Sequence, residues 1–126
     1  ESGTIDLPIA RKAESVIERC VDKAHGEWAV THYEVLEARA DQTLVRCQLE
    51  TGRTHQIRVH MQAIGHPLVG DFLYNPHALR EERPLLHSWR LAFTHPVSGD
   101  EVCFTASVPA DMQGWKWFQP DKMKVT

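Results

Sequence analysis

Between Leu49 and Asn75 the chain reads LETGRTHQIRVHMQAIGHPLVGDFLYN, gathering three glycines, two arginines and three histidines. Three chemistries could use such a set. A metal site is the first. His55, His60 and His66 lie five and six residues apart, not the three or four that align ligands on one helix face. No HExxH pattern occurs and the cysteines are scattered, so no metal is expected. Nucleophilic catalysis is the second, and it needs a base and an orienting third group near the nucleophile. His87-Ser88 is the nearest adjacency, and on a strand it sends the two side chains to opposite faces. Anion binding is the third. A glycine turn entering a helix offers free N–H groups and a favourable dipole, and Arg53 at that turn adds a fork of donors. GxxxxGK[ST] is absent, so the turn is no Walker loop. Spacing leaves it open between an anion-binding turn and a structural one.

The elements that must position these groups follow from periodicity. WAVTHYEVLEA alternates, with Ala29, Thr31, Tyr33 and Val35 on one side and Val30, His32, Glu34 and Leu36 on the other. RADQ supplies a turn, and TLVRCQLE repeats the alternation with Val45, Cys47 and Leu49 on one face, which makes a hairpin. After Thr51-Gly52 a helix is expected from about Thr54 to Ile64. At about 100° per residue, Ile57, His60, Met61 and Ile64 form its core stripe. Thr54 is placed to cap the first turn, and Gly65 stands where a left-handed stop wants glycine. Arg58 lies at the edge of the stripe, held by the core yet able to reach a cleft. PHALREER is expected to form a short helix opened by Pro76. LLHSWRLAFTHP and DEVCFTASVP form a second hairpin closed by PVSGD, with a short helix near Trp115 and Trp117. GTIDLPI is extended, and Arg11 to Lys23 is either a loop or a helical turn. The order is strand, hairpin, helix, hairpin. It predicts an α+β fold with a mainly antiparallel sheet and a few flanking helices.

Composition narrows the class. With 126 residues, 42% hydrophobic and 25% charged, the chain is most simply one globular domain. No run of about 18 apolar residues exists, so no membrane span is expected. Three cysteines without a CxxC pair point to a reducing, cytoplasmic setting. The formal charge of -3 excludes an overall basic coat, yet Arg46 to His66 holds three arginines against the single acid Glu50.

At these residues the sequence resembles a known family. LETGRTHQIRVHMQAIGHPLVGD..Y is similar to the third motif of the RluA-type RNA pseudouridine synthases, roughly TGRxHQIRxH…GxPxxGDxxY. GTIDLPI, AVTHYEVLE, LLHSWRLAFTHPVSGDE and FTASVPADM follow the same family's C-terminal half in order, so the likeness covers most of Gly3 to Met112. YNP stands where many relatives have Tyr-Gly. The family's catalytic aspartate sits in an HRLD motif followed by TSG, with a pocket tyrosine after it; these do not occur here, and no aspartate of the chain follows Arg-Leu. Residues 1–126 are therefore expected to be the C-terminal portion of a pseudouridine synthase catalytic domain, inactive alone and prone to associate through exposed sheet edges. The chain opens on ESGTIDLPI without Met, which agrees.

The resemblance implies isomerisation of uridine in RNA to pseudouridine, without metal or organic cofactor. Large-subunit ribosomal RNA is the first expected partner and transfer RNA the second. It implies that Arg58 pairs with the catalytic aspartate, since a nearby cation keeps a partly buried carboxylate ionised. Arg53, Thr54, His55 and Gln56 match motif residues around the cleft, and Arg53 either meets RNA phosphate or braces its loop. Leu86, beside His87, is expected to touch the uracil ring. His60 reads as a satisfied core histidine, and Asp71 as a cap or a bridge to Arg58 or Arg53. The competing reading is a non-catalytic RNA-binding module.

Overall fold

The computed structural model describes residues 1–79 and 82–118. The described chain is α+β with only antiparallel strand pairs, and it divides into two compact units, residues 1–84 and 85–126.

In the first unit the strands are β1 (Ser2–Asp6), β2 (Ile9–Arg11), β3 (Arg19–Val21), β4 (Val30–Ala38) and β5 (Thr43–Leu49), followed by helix α1 (Gln56–Ala63). The expected hairpin is present as β4–β5, and β1 adds on its other side, giving the order β1-β4-β5. Thr31 pairs with Ile5 on one flank and Leu49 on the other. Pairing advances from Val35↔Val45 to Glu37↔Leu44, which leaves Leu36 as the extra residue of a bulge. The stretch after Arg11 is neither a loop alone nor a helical turn. It returns as a second, two-stranded ribbon in which Ile9, Ala10 and Arg11 face Val21, Cys20 and Arg19. Its ends are tied to the chain before β4, where Ile9 and Glu27 exchange backbone hydrogen bonds of 2.9 and 2.8 Å.

The core is small. Ile9, Ala29, Val59 and Tyr74 form it, with Val21 and Leu73 packed against it. Burying an aliphatic side chain of this kind contributes about 1.5–3 kcal/mol, so the ribbon, the start of β4, the helix and the 71–74 turn are held by few contacts.

Several local expectations are corrected. The helix begins at Gln56 rather than near Thr54, and it buries Gln56, Val59, His60 and Met61. The apolar stripe is thus turned by one residue: Ile64 is 36% exposed and Ile57 half-buried. The cause is His60 and Gln56, whose polar atoms bond to β4 and its approach and so point inward despite their chemistry. Thr54 makes no cap. His55 is the N-cap in the left-handed conformation, φ 57 and ψ 22, without a side-chain capping bond. On β5 the buried residue is Leu44, while Leu49 at the strand's end is 43% exposed. Gly65 does stop the helix, at φ +85. Residues 76–79 of the expected PHALREER helix form turns and bends, and residues 80–81 lie outside the described chain.

The second unit contains β6 (Arg90–Thr94) and β7 (Glu101–Thr105), the predicted hairpin. Its turn is closed by His95, whose Nδ1 accepts from the amides of Val97 and Ser98. Leu91, Phe93, Val102 and Phe104 share one face of this ribbon by register. The expected helix near the tryptophans is two 3-10 turns, Ala110–Met112 and Lys116–Phe118. Residues 119–126 of the tail lie outside the described chain.

Candidate functional site

The site is organised by one carboxamide. Gln56, at the first turn of α1, is 3% exposed. Its Oε1 accepts from the Thr51 hydroxyl at 2.8 Å and the Arg53 amide at 3.0 Å. Its Nε2 donates to the Val30 carbonyl and the Thr31 hydroxyl, both at 3.0 Å. All of the side chain's hydrogen-bonding capacity is used. Gln56 was expected at RNA; in this geometry it has no donor or acceptor left for a ligand, and it locks the TGRT turn to β4. A glutamate could not donate to Val30, and an apolar residue would remove all four bonds, leaving the Arg53 amide without the carboxamide that holds it.

From Thr31 the chain of bonds continues inward. The Leu7 carbonyl can only accept, so the ring hydrogen of His60 faces it and Nδ1 accepts from the Thr31 hydroxyl at 2.8 Å. That hydrogen sits on Nε2, which donates to the Leu7 carbonyl at 2.8 Å. His60 is wholly buried and satisfied, the core histidine that the sequence predicted. This relay joins α1, β4 and the end of β1 through polar contacts in a place where a core usually uses methyl groups.

Arg58 sits two residues on, facing the opposite way. It grips Asp71 with two parallel bonds, Nε to Oδ2 at 2.9 Å and Nη2 to Oδ1 at 2.8 Å. Asp71 has no exposed surface, and the arginine side chain is 16% exposed. The bond to Asp71 raises the Arg58 pKa, against the opposing effect of burial. The guanidinium also lies over the Tyr74 ring, 5.2 Å from its centre. Asp71 accepts further from the amides of Leu73 and Tyr74, at 3.2 and 3.3 Å, so one carboxylate caps the 71–74 turn and anchors the arginine. The expectation that Asp71 bridges Arg58 is what the structure contains. Of the five N–H donors of a guanidinium, two go to Asp71; among the described residues no hydrogen bond uses the other three.

Glycine is required just before this aspartate. Gly70 has φ +79, and a Cβ there would stand 2.0 Å from the Arg83 carbonyl oxygen. No other residue permits that approach in that conformation.

Tyr74 links the pair to His55. Its hydroxyl oxygen accepts from the Arg19 amide at 2.9 Å and lies 2.7 Å from His55 Nδ1. Burial raises the tyrosine pKa. Burial also lowers that of His55, helped by the nearby Arg58 and Arg19 charges. The tyrosine therefore keeps its proton and donates a hydrogen bond to Nδ1 of a neutral imidazole, whose own hydrogen is on Nε2. Holding a histidine at positive φ costs roughly 1–2 kcal/mol, and this contact is what retains it. The Tyr74 ring is in the core and its hydroxyl positions His55.

Arg53 does brace its loop. Nε donates to the Trp28 carbonyl at 2.9 Å and Nη1 pairs with Glu27 at 2.9 Å. Thr54 is exposed beside it. Leu86 belongs to the second unit and is 37% exposed; its neighbour His87 is tied to the Ala106 carbonyl at 3.1 Å. Among the described residues no three His, Cys, Asp or Glu side chains cluster as metal ligands would. No described helix is long and apolar enough to cross a membrane. What the sequence reading missed is the Arg19–Tyr74 bond, because the ribbon that carries Arg19 was not foreseen; the alternation in Ile9–Arg11 and Arg19–Val21 is too short to register.

With this geometry in view, the comparisons are consistent. The family model described as RNA pseudouridylate synthase matches residues 1–63, which include the TGRT turn and Arg58. An uncharacterized RNA pseudouridine synthase of Bacillus subtilis (strain 168), YjbO, is 51% identical over 110 residues, 87% of this chain and 38% of the relative. Ribosomal large subunit pseudouridine synthase D of Zymomonas mobilis is 43% identical over 121 residues, 88% of this chain and 38% of the relative. The solved human RNA pseudouridylate synthase domain containing 1 superposes with a TM-score of 0.64 at 32% identity, over 83% of this chain and 48% of that one. This chain thus spans well under half the length of these curated relatives. By these matches the chain is a member of the RNA pseudouridylate synthase family, related to its RluA-type enzymes.

Proposed function

We propose that these residues form one wall of an active site that, in the complete protein, converts uridine in RNA to pseudouridine. Large-subunit ribosomal RNA is the favoured substrate, as the printed name of the Zymomonas relative states for that protein, with transfer RNA second. One observation carries the reading: Arg58 is mounted rigidly by Asp71 and Tyr74 and still has donors to spare. An arginine meant only to satisfy Asp71 would not need a tyrosine face beneath it.

In this proposal the aspartate of an HRLD segment, absent from the 126 residues, takes the remaining donors of Arg58. Because Asp71 already neutralises the guanidinium, the incoming carboxylate is held by directed hydrogen bonds more than by net charge. That fixes its rotamer against the uridine C1′ or the base. The uridine must leave its stack to reach the site, at a cost of a few kcal/mol. Thr54 and His55 are proposed to border the nucleotide. The 126 residues alone would form no pseudouridine. Their sheet edges, β1 and β5, would drive self-association that sedimentation can measure.

The test uses the full-length parent protein. Arg58→Met should abolish turnover on ribosomal RNA transcripts while RNA affinity changes by less than about threefold, since the lost contact is to the aspartate and not to phosphate. Equal loss of binding and turnover would replace this reading with a phosphate clamp. No pseudouridine from the unaltered parent on ribosomal or transfer RNA would favour the non-catalytic RNA-binding module.

A further inference from the structure

Away from Arg58, three more arginines converge. Arg11 and Arg19 are direct partners across the β2–β3 ribbon, and Arg53 of the TGRT turn lines one cleft with them. Together with Ile9, Ala10, Glu27, Gly52 and Thr54 they line this cleft, of about 380 Å³. Like charges directly opposite on neighbouring strands destabilise a ribbon, so this pairing is a cost that folding alone does not explain. Three arginines and one carboxylate line the cleft, and that carboxylate, Glu27, is engaged with Arg53 at 2.9 Å. Arg19 is immobilised, its Nη1 donating to the carbonyls of Val16, Ile17 and Glu18. Arg11 is exposed, and its side chain makes no hydrogen bond or ion pair among the described residues. A chain of net charge -3 has here assembled a local excess of positive charge.

No aromatic side chain lines the cleft, so it offers nothing for a base to stack on. Its chemistry suits phosphate. It also adjoins the site above: Arg19 gives its amide to Tyr74 Oη, and Tyr74 holds His55, the residue after Thr54.

We propose that this cleft between the β2–β3 ribbon and the Gly52–Thr54 loop is a phosphodiester subsite that grips the RNA backbone beside the reacting nucleotide. It rests on the uridine-isomerising reading for the identity of the nucleic acid. The contact is to phosphate, hence independent of base, and it sets the register of the strand while the base is chosen elsewhere.

The experiment titrates the 126-residue chain with fluorescent single-stranded oligouridylate and oligoadenylate of equal length at several salt concentrations. Arg11→Gln removes the unpaired guanidinium and Arg11→Lys keeps the charge. Gly52→Asp adds a carboxylate at a position where a Cβ meets nothing within 4 Å and which has no positive φ. Circular dichroism melts confirm that each variant folds. Arg11→Gln should weaken both oligomers by about three- to tenfold and reduce the salt slope by about 0.7. Arg11→Lys should recover most of the loss, and Gly52→Asp should weaken binding more than Arg11→Gln. The proposal is overturned if neither oligomer binds at low salt. It is equally overturned if both charge changes leave affinity and slope unaltered, or if only oligouridylate is affected. Pseudouridine formation by the full-length parent is scored separately, so an inactive parent with a salt-sensitive cleft would sink the enzymatic reading and leave the subsite standing.

Discussion

The bond between Arg58 and Asp71 can be measured by removing each partner and then both. Arg58→Met takes away two hydrogen bonds and the cation above Tyr74, yet its unbranched stem still covers the ring. Asp71 would remain fully buried, holding only the two long amide bonds from Leu73 and Tyr74. Breaking a buried pair by deleting one member costs about 3–5 kcal/mol. The arginine is 16% exposed, so water can partly replace it and the lower figure, about 3 kcal/mol, applies. Asp71→Asn keeps the turn-capping oxygen but offers Arg58 a neutral partner. Its arginine can turn to solvent, and the expected loss is about 2 kcal/mol. The double variant removes the charge along with its counter-charge, so it should lose about 2 kcal/mol less than the sum of the singles. Urea unfolding followed by far-UV circular dichroism supplies all three values. With a slope of about 1 kcal/mol/M for a domain of this size, Arg58→Met lowers the midpoint by about 3 M. Additivity within about 0.5 kcal/mol would mean that the two side chains do not hold each other, and the rigid mounting of Arg58 would have to be abandoned.

Two further outcomes are expected. Gly70→Ala should cost more than about 2 kcal/mol, since the new Cβ would collide with the Arg83 carbonyl at positive φ; Gly52→Ala should stay within about 0.5 kcal/mol, and similar urea midpoints for the two would disprove the close approach. The second concerns pH. His55 has a folded pKa below the ordinary 6.5, so below that pH the unfolded chain binds a proton that the folded chain does not. Stability must therefore fall as pH falls through 6.5, levelling off once the folded pKa is passed. His55→Asn, which tolerates the left-handed conformation, should flatten that part of the pH–midpoint curve; an unchanged curve would remove His55 as its source.

How much of this was readable in advance depends on the range of the interaction involved. The β4–β5 and β6–β7 hairpins were legible because alternation and turn chemistry act between residues a few positions apart. The helix stop at Gly65 was legible for the same reason, as was a histidine at position 60 facing inward. The helix start was misread: Thr54 has the right chemistry for a cap, but Gln56 reaches back to Thr51 and Arg53 and across to β4, and it sets the entry instead. The β2–β3 ribbon went unseen, because three-residue strands carry too little period to detect and are stabilised by packing on Tyr74 and Ala29.

The sequence by itself determined the β4–β5 and β6–β7 hairpins and the helix stop at Gly65, the family pattern around TGRTHQIRVH, and the presence of an arginine at position 58 on a helix. The tertiary structure alone decided that Asp71 clamps that arginine, that Tyr74 lies beneath it and holds His55, and that Arg11, Arg19 and Arg53 line one cleft. These partners are 8 to 55 residues apart in the pairs that matter. No local propensity encodes such meetings. They follow from burial, which brings the segments together and then requires each polar group to find a partner.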